Sequence, residues 1–132
     1  MATLTNEKKA AAKNTRRILY VDDMRELREV ARLALSRVGH HVDCAPDGTD
    51  AFVLITGSSD LYDVVITDHH MAGMNGLELV MKLREIKYPA KIIIVSSEMG
   101  ASIAEEYRRL GVDRILYKPV ELSNLRAVVL EV

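Results

Sequence analysis

The sequence has little cysteine, little proline, few aromatic residues and no long apolar run. Its single cysteine, Cys44, excludes an internal disulfide and a zinc cage built on thiolates, and it favours a reducing compartment. No apolar stretch approaches the roughly 18 residues that a membrane-spanning helix needs, and the polar N-terminus lacks the apolar segment of a signal peptide. We therefore expect a cytoplasmic protein that does not enter a membrane.

The charges of the chain are nearly balanced. There are 18 lysine and arginine residues against 19 aspartate and glutamate residues, and the formal net charge is -1. Such a balance provides no general attraction to nucleic acid. The 132 residues have the length of one ordinary domain, and 48% of them are hydrophobic, which is enough to form a buried core.

Short apolar segments alternate with segments of helical periodicity. The predicted strands are Arg17–Val21, His41–Ala45, Asp63–Thr67, Lys91–Val95 and Arg114–Tyr117. The predicted helices run from about Leu27 to Val38, from the capping residue Asp47 to Thr56, from Leu77 to Glu85, from Ser102 to Leu110 and from Leu122 onward. Strict alternation predicts an α/β fold in which parallel strands are joined by right-handed crossovers, with helices on both faces. Periodicity does not give the strand order.

Polar residues follow the predicted strands at the points where the strands end. They are Asp22 and Asp23 after the first strand, Asp68 after the third, Ser96 and Ser97 after the fourth, and Lys118 after the fifth. Ligands of an open parallel sheet bind outside the carboxyl ends of its strands. We therefore expect these side chains to gather at one edge of the sheet.

The gathered residue types suit phosphoryl chemistry. Three carboxylates that lie close together repel one another unless a cation neutralises them, and Mg²⁺ held by carboxylates and water is the usual solution. Lysine and hydroxyl groups suit the oxygens of a phosphoryl group, and an aspartate can be the nucleophile that forms an acyl phosphate. Asp22, Asp23 and Asp68 can each also be a plain helix cap, a reading that explains each one singly but not the set.

Four segments together resemble the receiver domain of two-component response regulators of the chemotaxis-regulator type. They are Ile18–Asp23, Val64–Asp68 with Met71 and Met74–Gly76, Ile92–Ser97, and Lys118–Pro119. The resemblance covers the chain from about Arg16 to its end. It implies a flavodoxin-like, doubly wound, five-stranded parallel sheet of order 2-1-3-4-5 with five helices. Residues 16–132 would form the receiver domain, and residues 1–15 a disordered arm.

The resemblance also implies a metal-assisted phosphoacceptor. Asp68 would take a phosphoryl group from the phosphohistidine of a sensor histidine kinase or a phosphotransfer protein. Asp22 and Asp23 would hold Mg²⁺, together with Asp68 and the backbone carbonyl of His70. The protein would be a signalling phosphoacceptor rather than an enzyme, since it would catalyse only its own phosphotransfer and slow dephosphorylation.

Two further roles and one backbone feature follow from the same resemblance. Ser96 would bind a phosphoryl oxygen after phosphorylation, and Lys118 would pair with Asp68 or with its phosphate. The bond between Lys118 and Pro119 is expected to be cis.

Three positions near the site depart from, or bear on, the family pattern. Ala72 stands where a proline is usual, so the loop after Asp68 is expected to be looser. Ile115 stands where the family usually has a tyrosine or phenylalanine that turns inward during switching. Tyr117 lies on the same strand face two residues later. It could substitute for that aromatic residue, but we expect it to pack in the core.

Four residues are candidate switch or tuning positions: Ser97, Ile115, His70 and Glu98. In the family, the positions of His70 and Glu98 influence the lifetime of the phosphate. We hypothesise that these two residues pair and partly shield Asp68 from water. The adjacent His69 is expected to point away from His70, which favours plain loop residues over a transition-metal site.

The surface of the fourth helix, fifth strand and fifth helix is a common partner site in the family. An output partner or a homodimer could use it, with contributions from Arg108 and Arg109, whereas no contact with nucleic acid or membrane is expected.

Two rival functions remain open. An aspartyl phosphatase needs an Asp-x-Asp arrangement and a cap domain, but Asp22 and Asp23 are adjacent. A receiver-like interaction module that works without phosphorylation would not need the intact acidic set.

Overall fold

The computed structural model describes residues 15–132, so the expected disordered arm of residues 1–15 lies outside the described part except for Thr15. The strands are β1 (Arg17–Val21), β2 (His41–Ala45), β3 (Val64–Thr67), β4 (Lys91–Ser96) and β5 (Arg114–Tyr117). The helices are α1 (Arg25–Ser36), α2 (Gly48–Gly57), α3 (Gly76–Glu85), α4 (Ala101–Arg109) and α5 (Leu122–Glu131). Strands and helices alternate strictly, and each lies within about two residues of its predicted bounds.

The five strands form one parallel sheet of order β2-β1-β3-β4-β5. The predicted α/β class and the strand order implied by the resemblance are both confirmed. The register pairs Val21 with Thr67 and Ser96 with Tyr117. The residues that follow β1 and β3 therefore leave the sheet at the same level, and the residue after β5 leaves beside the end of β4.

Side chains of the sheet alternate between two hydrophobic clusters, one on each face. Leu19, Val65 and Ile92 pack on the face that includes residues of α2, α3 and α4. Ile18 and Ile66 pack on the opposite face with residues of α1 and α5. Full burial of such a side chain stabilises the fold by about 1.5–3 kcal/mol. The central strands are covered on both sides, which explains their continuous apolar sequences.

Local signals fix where two of the helices start. The Asp47 carboxylate accepts a hydrogen bond from the backbone N–H of Asp50 at 2.7 Å, which confirms the predicted cap of α2. Asn75 and Glu78 form a reciprocal capping box at the start of α3. This box defines the end of the loop that follows Asp68.

The prediction for Tyr117 is wrong. Its side chain is 51% exposed and does not belong to the core. β5 is an edge strand, and Tyr117 is its last residue, where the helices do not cover it. Ile115 is half-buried and packs against the cluster on the α2, α3 and α4 face.

Candidate functional site

Three carboxylates meet at the carboxyl edge of the sheet. Asp22, Asp23 and Asp68 each place a carboxylate oxygen within 4.8 Å of the others. The backbone fixes two of them, because the Asp22 N–H donates to the Ala45 carbonyl and the Asp68 N–H donates to the Val21 carbonyl. Asp22 and Asp68 are buried, whereas Asp23 is exposed. Such a group of hard oxygen ligands fits a divalent cation such as Mg²⁺.

Lys118 provides the positive charge beside this group. Its Nζ donates to Asp22 Oδ2 at 2.9 Å and to Asp68 Oδ2 at 3.1 Å. Burial by itself lowers the pKa of Lys118, but the hydrogen bonds and the charges of the two aspartates outweigh burial and raise this pKa above its ordinary value. Lys118 is therefore a cation at physiological pH. Its bond to Pro119 is cis, as expected.

Ser96 is the last residue of β4 and is fully buried. Among the residues that the structure describes, its Oγ has no hydrogen-bond partner. A buried hydroxyl left without a partner costs about 1–3 kcal/mol. The Lys118 N–H donates to the Ser96 carbonyl at 2.9 Å, which holds the two residues side by side. A hydroxyl without a partner, at the same edge of the sheet as an ammonium group, is suited to an incoming phosphoryl oxygen.

The loop after Asp68 is attached to the loop after β4. The His70 N–H donates to Asp68 Oδ1 at 3.3 Å, and its imidazole Nε2 donates to the backbone carbonyl of Glu98 at 2.6 Å. His70 and Glu98 are thus in contact, but through the backbone of Glu98 and not through its carboxylate. Ala72 and Ser97 are exposed.

The prediction that the adjacent histidines point apart is wrong. The ring centroids of His69 and His70 are 4.8 Å apart in an edge arrangement. Side chains alternate only along an extended strand, and β3 has already ended at Thr67. His69 is also not a plain loop residue, because it is buried and its Nδ1 shares a hydrogen bond of 2.6 Å with the Tyr107 hydroxyl.

Tyr107 lies on α4 and was not singled out in the sequence. Apolar periodicity in α4 is enough to predict that it faces inward, but not that it reaches the residue after Asp68. Burial, and secondarily the charge of Asp68, raise the pKa of Tyr107. Burial, reinforced by His70, lowers the pKa of His69, although Asp68 acts in the opposite direction. Near neutral pH the contact therefore joins two uncharged groups.

Arg108 and Arg109 form the exposed side of α4. Both are paired with Glu105 at 3.6–3.8 Å, within their own helix. Surface pairs of this kind contribute little to stability. Within residues 15–132, no helix is both long enough and apolar enough to cross a membrane.

Comparison with known proteins gives a consistent result. Residues 18–130 match the family model described as response regulator receiver domain. The chain is 40% identical over 106 residues to a chemotaxis protein CheY homolog of Campylobacter jejuni, covering 78% of this chain and 81% of that protein. It is 33% identical over 111 residues to the transcriptional regulatory protein TctD of Salmonella typhimurium, covering 84% of this chain. That match spans 49% of TctD, about half its length.

A solved structure is also similar. Response regulator protein TrrA from Thermotoga maritima, in complex with Mg(2+)-BeF, has 30% sequence identity and a TM-score of 0.75. The alignment covers 87% of this chain and 96% of that chain.

Proposed function

The chain belongs to the response regulator receiver family, whose role is signalling, and from this premise we propose that Asp68 is its phosphoacceptor. The observation that carries the proposal is the arrangement around Asp68. Its carboxylate lies beside two others and is bridged by Lys118, and β4 ends in a buried hydroxyl without a partner among the described residues. A helix cap needs none of these neighbours.

The metal ligands would be Asp22, Asp23 and Asp68, with the backbone carbonyl of His70. Three carboxylates and one ammonium group leave a local excess of negative charge, which a divalent cation would compensate. Bound Mg²⁺ would supply neutralisation of the charge that develops on the phosphoryl oxygens during transfer. The crystal structure of TrrA with Mg(2+)-BeF supports this choice of ion.

The reaction would be phosphoryl transfer from a phosphohistidine of a sensor histidine kinase or a phosphotransfer protein. A carboxylate oxygen of Asp68 forms a bond to phosphorus while the bond from phosphorus to the donor's histidine nitrogen breaks. Lys118 neutralises the transferred group, and the Ser96 hydroxyl donates to one of its oxygens. His70 and Glu98 lie at the mouth of the site and influence how easily water reaches the acyl phosphate.

Signalling would follow from the added charge. A phosphoryl group brings about -1.5 to -2 charges and strong acceptor oxygens to the edge of the sheet. Ser96 and Lys118 are drawn toward it, which biases a two-state equilibrium of the surface formed by α4, β5 and α5. The exposed Ser97 and the half-buried Ile115 are further switch positions. An output partner or a second copy of the chain reads this surface, in the cytoplasm.

Phosphorylation with a small donor tests the proposal. We expect the protein incubated with Mg²⁺ and acetyl phosphate to gain one phosphoryl group, measured by intact mass. Asp68→Asn should gain none. Asp47→Asn is the matched control, because it removes a carboxylate of the same type at the start of α2, and it should gain the group as the parent does.

Two outcomes would contradict the proposal. A parent protein that gains no phosphoryl group and binds no beryllofluoride would point to an interaction module that works without phosphorylation. Rapid multiple turnover of a phosphate ester would point to a phosphatase.

A further inference from the structure

The contact between His69 and Tyr107 joins the residue that follows Asp68 to helix α4. We infer that this contact is the coupling element through which the state of Asp68 reaches α4. The inference rests on the proposed function and adds the path by which the modified site would be read. Tyr107 and His69 act here as positioning residues, since neither is assigned a contact with the phosphoryl group.

The contact is close and enclosed. The Tyr107 hydroxyl lies 2.6 Å from His69 Nδ1, and the two rings meet edge to face at 5.5 Å. Tyr107 has no exposed surface, and His69 is 8% exposed. A hydrogen bond in such an environment has no water to replace it, so a displacement of His69 must be followed by Tyr107 or must leave two buried polar groups unpaired.

Gly76, the first residue of α3, shows how tightly the loop after Asp68 packs against Tyr107 of α4. A Cβ atom at this position would clash with the Asp68 carbonyl oxygen and would lie 2.9 Å from the Tyr107 hydroxyl and 3.0 Å from His69 Cα. The Asp68 carbonyl, the His69 backbone and the Tyr107 hydroxyl therefore all crowd the same position, which stays open only because residue 76 lacks a side chain. A packed interior of this kind transmits a small displacement, because it does not deform continuously.

A second contact runs parallel to the first. The His70 imidazole donates to the Glu98 carbonyl in the segment before α4, and its ring touches the His69 ring. The two residues after Asp68 thus hold α4 and the segment before it. The start of α4 is less restrained on its own, because its cap residue Gly100 offers no side-chain hydrogen bond.

Tyr107 has the polar group that Ile115 lacks. Ile115 packs against the same hydrophobic cluster that contains Tyr107, but an aliphatic side chain has no polar group with which to follow a change at the site. Tyr107 belongs to α4 itself, so a shift of His69 acts on that helix directly.

The test compares the response of α4 with the occupancy of the site. Beryllofluoride with Mg²⁺ stands in for the phosphoryl group, and backbone amide NMR shifts are measured for residues 68–70 and for residues 101–109. The informative variant is Tyr107→Phe, which removes one oxygen atom. The matched control is Tyr62→Phe, because Tyr62 is buried in the same cluster and its hydroxyl donates to Asp43 at 2.7 Å, in a different part of the sheet.

We expect the parent and Tyr62→Phe to show changes in both regions. Tyr107→Phe should keep the changes at 68–70, while those at 101–109 fall well below the parent's, to what the remaining contact of His70 with Glu98 transmits. A merely structural role would lower the stability of both variants without separating the two regions. His69→Leu should behave as Tyr107→Phe does, whereas His69→Asn, which retains a hydrogen-bonding atom near the Nδ1 position, should restore the response of α4.

Three results would overturn the inference. The first is a full response of α4 in Tyr107→Phe while the adduct is formed. The second applies if Tyr107→Phe does not fold. It is a response of α4 to the adduct that is equal in His69→Leu and His69→Asn. The third is a parent protein that forms no adduct, which would remove the proposed function itself and is distinguished by the absence of changes at 68–70.

Discussion

Replacing Asp68 with asparagine should stabilise the protein in the absence of divalent cations. The substitution keeps the size of the side chain and removes one charge from a group of three carboxylates. It also weakens the pair with Lys118, so the sign of the effect depends on which electrostatic contribution is larger.

The distances allow these contributions to be compared. Asp22 and Asp68 place carboxylate oxygens within 4.8 Å of each other, so this buried pair repels by at least roughly 3 kcal/mol for an effective dielectric constant near 20. On the same scale, Lys118 attracts Asp68 at 3.1 Å by roughly 5 kcal/mol. In the parent protein, the lost hydration of the buried Asp68 carboxylate costs several kcal/mol, and the exposed Asp23 adds a smaller, screened repulsion. Asp68→Asn removes both of these unfavourable contributions. We therefore expect a net gain of about 1–2 kcal/mol in the free energy of unfolding.

Chemical denaturation in a chelating buffer measures this gain. Asp47→Asn is the control for the change in net charge, because asparagine caps a helix about as well as aspartate. Saturating Mg²⁺ should then stabilise the parent more than Asp68→Asn, by up to about 2.7 kcal/mol at a hundred times the dissociation constant. If Asp68→Asn is no more stable than the parent without Mg²⁺, while Asp47→Asn is unchanged, repulsion among the carboxylates is not the dominant contribution.

Three further predictions concern single positions. Lys118→Met should lower the free energy of unfolding by about 2–4 kcal/mol, because it leaves two buried carboxylates without their cation; urea denaturation measures the loss. His40 is buried, its Nδ1 accepts from the Arg16 N–H, and burial followed by the charge of Arg16 lowers its pKa below 6.5. The stability that neutral His40 contributes is therefore complete above pH 6.5 and declines as the pH falls below 6.5. When the pH is lowered from about 7.5 to 5.5, the free energy of unfolding should fall more for the parent than for His40→Asn. Gly76→Ala should cost about 1–3 kcal/mol in thermal unfolding, whereas Gly57→Ala, with open space around its Cβ position, should gain about 0.4–1 kcal/mol; equal effects at both positions would contradict the packing argument.

The fold was predictable because its signals are local. Continuous apolar segments such as Ile92–Val95 predict strands buried on both faces, and Gly39 and Gly111, with φ of 99° and 75°, follow helices where left-handed residues are expected. The strand order was not predictable from local signals. It came from the resemblance to the receiver family, because the periodicity of a strand is the same whichever strand lies beside it.

Only those features of the site that follow from the arrangement of the sheet were predictable from the sequence. Parallel strands place their carboxyl ends at one edge, so the proximity of Asp22 and Asp68 follows once the strands are known. The contact of Tyr107 with His69 depends on how α4 packs, and the exposure of Tyr117 depends on which strand is at the edge. Neither property is encoded in spacing along the chain.

The charges of the site explain why modification of Asp68 should act beyond the site itself. Asp22, Asp23 and Asp68 with Lys118 carry two net negative charges, which one bound divalent cation would cancel. Converting the carboxylate of Asp68 into an acyl phosphate of about -1.5 to -2 charges would break that balance again. Lys118 is already paired with two carboxylates, whereas the Ser96 hydroxyl has no partner among the described residues. The group with spare hydrogen-bonding capacity therefore lies at the end of β4, so the new charge would act there as well as on the contact between His69 and Tyr107.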